Sequence, residues 1–200
     1  YVTYAYNTDM AEFMFKFFNE EMRDLVPNSV IERLGKLASY DISPSSKISE
    51  IGIIMEEYYN SLDGDEQLRI ENETENRLSS YLGKHQRELE RTGIVKIGLN
   101  NFSIQSTGDV PGQPLNQFSL DEYQDHLRIA TTIGQNFFFG TNSESVSDVT
   151  VLDKNLKQVG SVQDLGKTER IYSVRFIQDK GYVVTFRQID PFYVIDLANP

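Results

Sequence analysis

Asp121, Glu122, Asp125 and His126 fall within six residues and form the densest group of metal- or proton-handling side chains in the chain. Carboxylates beside an imidazole can share a divalent cation or divide acid and base work between them. The same residues also suit a hairpin turn, where Asp and Glu serve the backbone locally, and their spacing is not that of a calcium-chelating loop. The turn reading is the stronger. Asp63-Gly64-Asp65-Glu66 begins like a calcium loop but lacks the later ligands. Asp63 with Glu66 three residues on reads instead as a helix cap. The two histidines stand 41 residues apart, too little material for a histidine-based triad or zinc site. His85 falls on the apolar side of a helical pattern with Tyr81 and Leu89, which marks it as a core or boundary residue. There is no cysteine, so disulfides, thiolate metal sites and a cysteine nucleophile are excluded, although the redox compartment is not fixed. Neither a Gly-rich phosphate loop nor a Gly-x-Ser-x-Gly elbow occurs. No catalytic, cofactor-binding or metal-ligating residue is assigned, and no cofactor is expected.

One group is a candidate for contact with a partner. Phe137, Phe138 and Phe139 stand between Asn136 and Gly140 in a connecting segment. An aromatic run there can anchor a partner on a rim, or form a small core beneath the loop from Gln135 to Val146, and the second reading is preferred. Asn72-Glu73-Thr74 and Asn101-Phe102-Ser103 match the N-glycosylation pattern at a frequency that chance accounts for.

The elements that must carry these residues change period along the chain. From Asn7 to about Arg91 apolar residues follow helical spacing, and from Thr92 onward they alternate as strands do. Four helices are expected. The first is capped by Asp9 and carries the stripe Met10, Phe13, Met14, Phe17, Phe18 and Met22. The second starts at Ser29 with Glu32 completing a capping box, and buries Ile31, Leu34, Leu37 and Ala38. A turn from Asp41 to Ser46 leads to the third, with Ile48, Ile51, Met55, Tyr58 and Leu62 inward. The fourth, capped by Asp63, buries Leu68, Leu78, Tyr81, Leu82, His85 and Leu89.

The strand region repeats a unit. In the clearest copy, Ile171–Ile177 turns at Gln178-Asp179-Lys180-Gly181, with Gly181 as the turn residue, into Tyr182–Phe186, and Phe192–Leu197 follows. The near-continuous apolar runs of the last two segments predict burial on both faces. An earlier copy pairs Phe118 and Leu120 with Leu127 and Ile129 across a turn at Asp121 to Asp125. It continues with Val149–Leu152, a turn at Asp153-Lys154-Asn155, and a strand from Leu156 to Val162. Corresponding strands recur 45 and 56 residues apart, comparable to the ~40–50-residue period of propeller blades. A third, split copy places Tyr1–Tyr6 beside Ile94–Ile97, with Phe102–Ser106 following a tight Asn100-Asn101 turn. Neighbouring strands lie only ~4.8 Å apart, so the helical segment between them must be a compact, self-cored lobe.

The expectation is a mainly β chain, a partial β-propeller of about three incomplete four-stranded antiparallel blades interrupted by a helical bundle. Residues 1–6 form a strand of the first blade, 7–91 the helical bundle and 92–110 the remainder of that blade. Residues 111–165 form the second blade and 166–200 the third. Ten strands cannot close a ring of ~4–8 blades, so the chain reads as a fragment whose exposed strand edges could pair between copies.

The charge narrows the partners. Thirty acids against 19 bases give a formal charge of −11, of which residues 7–91 carry −8 through 18 acids and 10 bases. Such a surface repels phosphate backbones and anionic lipid, so nucleic acid is not an expected partner. No apolar run approaches the ~20 residues of a membrane-spanning helix, and no membrane insertion is expected.

Glu169-Arg170-Ile171-Tyr172-Ser173-Val174-Arg175-Phe176 with Gly181–Pro191 resembles the secreted proteins with a C-terminal β-propeller domain, an archaeal and bacterial family distantly related to WD-40 propellers. Leu115–Tyr123, Leu127–Thr132 and Lys84–Ile97 are similar to the same family. The resemblance implies an extracellular or cell-surface location and no particular activity. The expected role is a non-catalytic scaffold or binding module for a protein or glycan. The alternative is a propeller hydrolase or lyase, with an active site at the central channel completed by residues outside this chain.

Overall fold

The structure, a computed structural model, describes residues 1–134, 144–186 and 191–199. Two compact units divide the chain: Asn7–His85, and Tyr1–Tyr6 together with Gln86–Pro200.

Four helices build the first unit: α1 (Met10–Glu21), α2 (Asn28–Ala38), α3 (Pro44–Tyr59) and α4 (Gly64–Leu89), whose last residues belong to the second unit. Asp9 caps α1 by accepting hydrogen bonds from the amides of Ala11, at 2.8 Å, and Glu12, at 3.3 Å. Asp63 caps α4 through the Glu66 amide at 2.9 Å. Helix α2 starts one residue before the expected Ser29, behind Pro27, and has no side-chain cap. Proline's fixed φ suits a helix entry without one. Ser43 caps α3 with Pro44 in its first turn, so half of the expected Asp41–Ser46 turn is already helical. Phe13, Phe17, Phe18, Met22, Leu34, Leu37, Ile51, Ile54, Ile70, Tyr81 and Leu82 are buried. Leu68, expected inward, is 60% exposed, and Ile70 two residues on takes the buried place. The polar stretch around Glu71 gives no apolar neighbours from which to fix the helix's phase. Arg77 locks this unit, reaching Asp24 at 2.6 and 2.9 Å and Glu73 at 2.8 Å.

The second unit stacks three antiparallel sheets. Their strands are β1 (Val2–Asn7), β2 (Glu90–Ile97), β3 (Ile104–Pro111), β4 (Leu120–Tyr123), β5 (His126–Ile133), β6 (Val146–Leu152), β7 (Gln158–Leu165), β8 (Arg170–Ile177), β9 (Lys180–Phe186) and β10 (Phe192–Asp196). The sheet orders are β1-β2-β3, β4-β5-β6-β7 and β10-β9-β8. The first strand thus lies beside β2, although four helices separate them in sequence. By content the chain is mixed, with helices nearly as extensive as strands.

Several turns differ from their expected form. Gly98 and Ser103 close a longer loop than Asn100-Asn101 alone, with Phe102 left-handed at φ 52°, and β3 therefore begins at Ile104. Phe118 sits in a short 3-10 turn, Gln117–Ser119, exposed rather than paired. Asp121 belongs to β4, and the hairpin turn is Gln124-Asp125, both left-handed. Gly181 is a strand residue opposite Phe176, and Gln178 provides the left-handed turn at φ 51°.

Leu156 is likewise a turn residue, at φ 60°, and it is buried. It joins Ile94 and Val110 from the first sheet and Leu127, Ile129 and Leu152 from the second in one apolar cluster. Ala130 and Val149 on the opposite face of the second sheet pack against Ile171, Val174, Phe176, Val183 and Ile195 of the third. Strands β5 and β6 are therefore buried on both faces. Strands β9 and β10, expected to be, are not: Tyr182, Val184, Phe186, Phe192 and Val194 alternate away from that cluster, and their side is open.

The approach of the first two sheets needs a glycine. A Cβ on Gly108 would stand 2.5 Å from the Leu156 backbone carbonyl oxygen and 2.7 Å from its Cβ, atoms fixed by the main chain that have little room to yield. Gly108→Ala is expected to destabilise the chain by about 1–3 kcal/mol in urea denaturation, as overpacking does. An effect within about 0.5 kcal/mol, the surface norm, would refute the tight contact.

One surface cluster in this unit gives a pH signature. Arg91 grips Asp109 at 2.9 Å through both Nε and Nη2, and Tyr6 donates its hydroxyl to the same carboxylate. Hydrogen bonding from Arg91 holds the Asp109 carboxyl below the usual carboxylate range. A depressed folded pKa adds stability above the unfolded value of ~3.9, and the gain is lost as pH falls through the folded value. The melting-temperature gap between wild type and Asp109→Asn should be full near about pH 6 and shrink progressively as the pH falls below the ordinary carboxylate value of ~3.9.

Candidate functional site

The four clustered residues 121–126 are brought together, but each is engaged separately. Asp121 in β4 pairs with Arg128 in β5. Glu122, on the other face, meets Lys96 of the first sheet at 3.2 Å. His126 holds its Nδ1 2.7 Å from the Gln124 carbonyl oxygen, which can only accept, so Nδ1 carries a proton. Asp125 occupies the left-handed turn. Among the described residues, no three His, Asp or Glu side chains are placed to hold a metal ion. His85 packs its ring against Tyr81 at 4.2 Å and Phe13 at 6.2 Å, as a boundary histidine does. Phe137, Phe138 and Phe139 lie outside the described residues.

The residue that sequence reasoning passed over is Arg128. It sits in the buried run Leu127-Arg128-Ile129-Ala130 with its side chain only 3% exposed. One terminal nitrogen serves Asp121 and the other the Gln178 carbonyl oxygen in the third sheet's first turn. Its guanidinium carbon stands 5.0 Å from the ring centroids of both Tyr123 and Phe176. The cation is thus held by rings from two sheets in a site largely shielded from water. Its Nε is buried and, among the described residues, has no hydrogen-bond partner. A positive charge in an otherwise apolar strand segment was the available signal, since a buried charge needs a partner.

A cleft of about 370 Å³ opens beside Arg128. Tyr123, Gln124 and His126 line it from the second sheet, and Gln178, Asp179, Leu197 and Ala198 from the third. Two two-residue turns of matching sequence, Gln124-Asp125 and Gln178-Asp179, flank it, and Gln124, Gln178 and Asp179 line it. At the far end of the same pair of sheets the polar groups serve structure. Thr132 meets Ser147 at 3.2 Å and accepts the Ile171 amide at 3.1 Å, while Glu169 accepts from Thr185 at 2.5 Å. Arg87 pairs with the buried Asp148 at 2.8 Å and with Asp164 at 2.9 Å. That pairing holds the Asp164 carboxyl below its ordinary range.

Stacked antiparallel sheets laced by such contacts agree with a match between residues 22–200 and the family described as the beta propeller domain. The chain belongs to the beta propeller domain family. The match runs through α2, α3 and α4 as well as the sheets. The chain is 44% identical over 200 residues to an uncharacterized protein of Archaeoglobus fulgidus, covering 100% of this chain and 30% of that protein. It is 38% identical over 200 residues to an uncharacterized protein of Methanocaldococcus jannaschii, covering 98% of this chain and 32% of that one. The chain therefore spans about a third of the length of these curated relatives. No solved structure matches it at a significant level.

Removing Asp121 leaves a buried cation without its counter-ion. Asp121→Ala is expected to cost about 3 kcal/mol in thermal or urea unfolding, and Asp121→Ala combined with Arg128→Met should recover most of that loss. Additive losses in the double variant would show that the pair is not coupled.

Proposed function

We propose that this chain is a stretch of a longer propeller ring serving as a non-catalytic, extracellular or cell-surface binding scaffold. The three sheets are read as successive blades. The observation that carries this reading is the open side of the last sheet. Val194 is 58% and Phe192 61% exposed, in company with Tyr182, Val184 and Phe186. That is the composition of a covered face, and the equivalent side of the middle sheet is covered by its neighbour. The greater length of the two archaeal relatives supports a further sheet there. The same face or its free strand edges can also pair copies of the chain.

The non-catalytic reading is supported by the separate structural duties of Asp121, Glu122 and His126, each of which is engaged with a partner of its own. The surface location rests on the resemblance of Glu169–Pro191 to secreted propeller proteins. The partner is a protein or glycan rather than nucleic acid, in keeping with the charge of −11.

Val194→Asp separates the alternatives. In the full-length protein it is expected to cost about 2–3 kcal/mol, as a charge placed in a buried face does, and in the 200-residue chain no more than about 0.5 kcal/mol. Equal, small effects in both would sink the reading of a continuing ring. Hydrolase or lyase turnover abolished by Asp121→Asn or His126→Gln would overturn the non-catalytic part.

A further inference from the structure

We propose that Asn101 is an N-glycosylation site, and that Asn72, which carries the same sequence pattern, is not. The proposal rests on the extracellular or cell-surface reading, because N-linked glycans are attached to chains that leave the cytoplasm, and it adds a covalent modification to that reading.

Frequency gives the two patterns no weight, but the structure separates them. A transferase that selects Asn-x-Ser/Thr must reach the carboxamide and the hydroxyl two residues on at one place, in a loop that can enter its site. Asn101 lies in the loop between β2 and β3, and Asn101, Phe102 and Ser103 are all exposed. The Ser103 hydroxyl donates to Asn101 Oδ1 at 2.8 Å, and the Ser103 amide donates to the same atom at 3.1 Å. A backbone N–H can only donate, so the atom it meets is the carboxamide oxygen, and Nδ2 is not used by the turn. These contacts span three residues. They are available whether the chain meets the transferase before or after it folds.

Asn72 fails on both counts. It sits within α4, where residues two apart do not face each other. The Thr74 hydroxyl donates to the Ile70 carbonyl oxygen at 2.7 Å and accepts from Tyr59 at 3.3 Å, so it is held toward α3 rather than beside Asn72.

A second observation in the same loop points to an attached group. Leu99 is 84% and Phe102 80% exposed, the highest values for large apolar side chains among the described residues. Phe102 also holds left-handed backbone at φ 52°, which a bulky residue rarely adopts. Apolar surface left in water gains when something covers it. The C–H face of a first sugar ring on Asn101, which stands between the two in sequence, would do so.

The modification joins Asn101 Nδ2 to the anomeric carbon of an oligosaccharide carried on a polyprenyl phosphate or diphosphate. The N–C1 bond forms as the C1–O bond to phosphate breaks. The lipid phosphate leaves with the bonding electrons, and the carboxamide gives up one proton to a base of the transferase.

Glycopeptide mass spectrometry on the full-length protein purified from its own cells tests the assignment, with membrane-impermeant biotinylation of intact cells in parallel. In a tryptic digest Asn101 falls in residues 97–128 and Asn72 in residues 70–77. Carbohydrate is expected on the first peptide, localised to Asn101 by fragmentation, and not on the second. Ser103→Ala should lose it, and Ser103→Thr, which keeps the hydroxyl, should retain it. Both variants should melt within about 2 °C of wild type, as exposed positions do, so that loss of the modification is distinguished from loss of the fold. An unmodified Asn101, carbohydrate on Asn72, or carbohydrate that persists in Ser103→Ala overturns the inference. Where Asn101 is unmodified, biotin on the protein leaves the surface reading standing, and its absence overturns that reading too.

Discussion

Burial of the middle sheet on both faces is the constraint from which the β unit follows. Strands β5 and β6 have no solvent side, so every residue in them must be packed or hydrogen-bonded. Leu127, Ile129 and Leu152 face one neighbouring sheet, and Ala130 and Val149 the other. Several polar residues on these strands find partners in adjacent sheets or loops, although the Thr131 hydroxyl and Arg128 Nε are buried without one among the described residues. Thr132 takes the Ile171 amide, Asp148 takes Arg87 and the Asp164 amide, and Arg128 reaches the Gln178 carbonyl. Apolar contact draws the sheets together, and these hydrogen bonds fix how they are registered. A slip of one residue would turn Asp148 or Arg128 toward the wrong neighbour.

The existence and type of nearly all elements were legible, because period is a strong signal when one side of an element is apolar. Alternation located the strands around Val149 and Val174, and the stripe of Phe13, Phe17 and Phe18 located the first helix. What was not legible depended on contacts remote in sequence. Leu156 looks like the opening of a strand, yet it turns the chain and packs beneath Gly108 of another sheet. Gly181 looks like a turn residue, yet Gln178 takes the left-handed position and Gly181 lies opposite Phe176. In both cases tertiary packing outweighed local preference. The apolar runs of β9 and β10 signalled burial that the described residues do not themselves provide.

The candidate site was half legible for a similar reason. A search for chemistry by proximity found His126, which lines the cleft, and Asp121, which pairs with Arg128 beside it. It could not find Gln178, Asp179 or Leu197, which arrive from the next sheet fifty or more residues later. Arg128 was hidden by its surroundings, since a lone cation within a strand reads as an outward residue of the alternation. Only the stacking of a second sheet makes it a buried one, and only then do Tyr123 and Phe176 come to lie on either side.

Repetition also bears on how such a cleft arises. Gln124-Asp125 and Gln178-Asp179 join the first two strands of their sheets, as counted from β4 and β8. Each places a glutamine in left-handed backbone. When sheets of like design stack, equivalent turns fall side by side, and the space between them is lined by the same residue types from two directions. The first of these turns is anchored by the His126 ring, and the second by the Arg128 guanidinium, which crosses from the preceding sheet. The arginine thus stabilises the junction and shapes the cleft with one set of contacts. Its Nε, buried and without a partner among the described residues, is a cost of that arrangement.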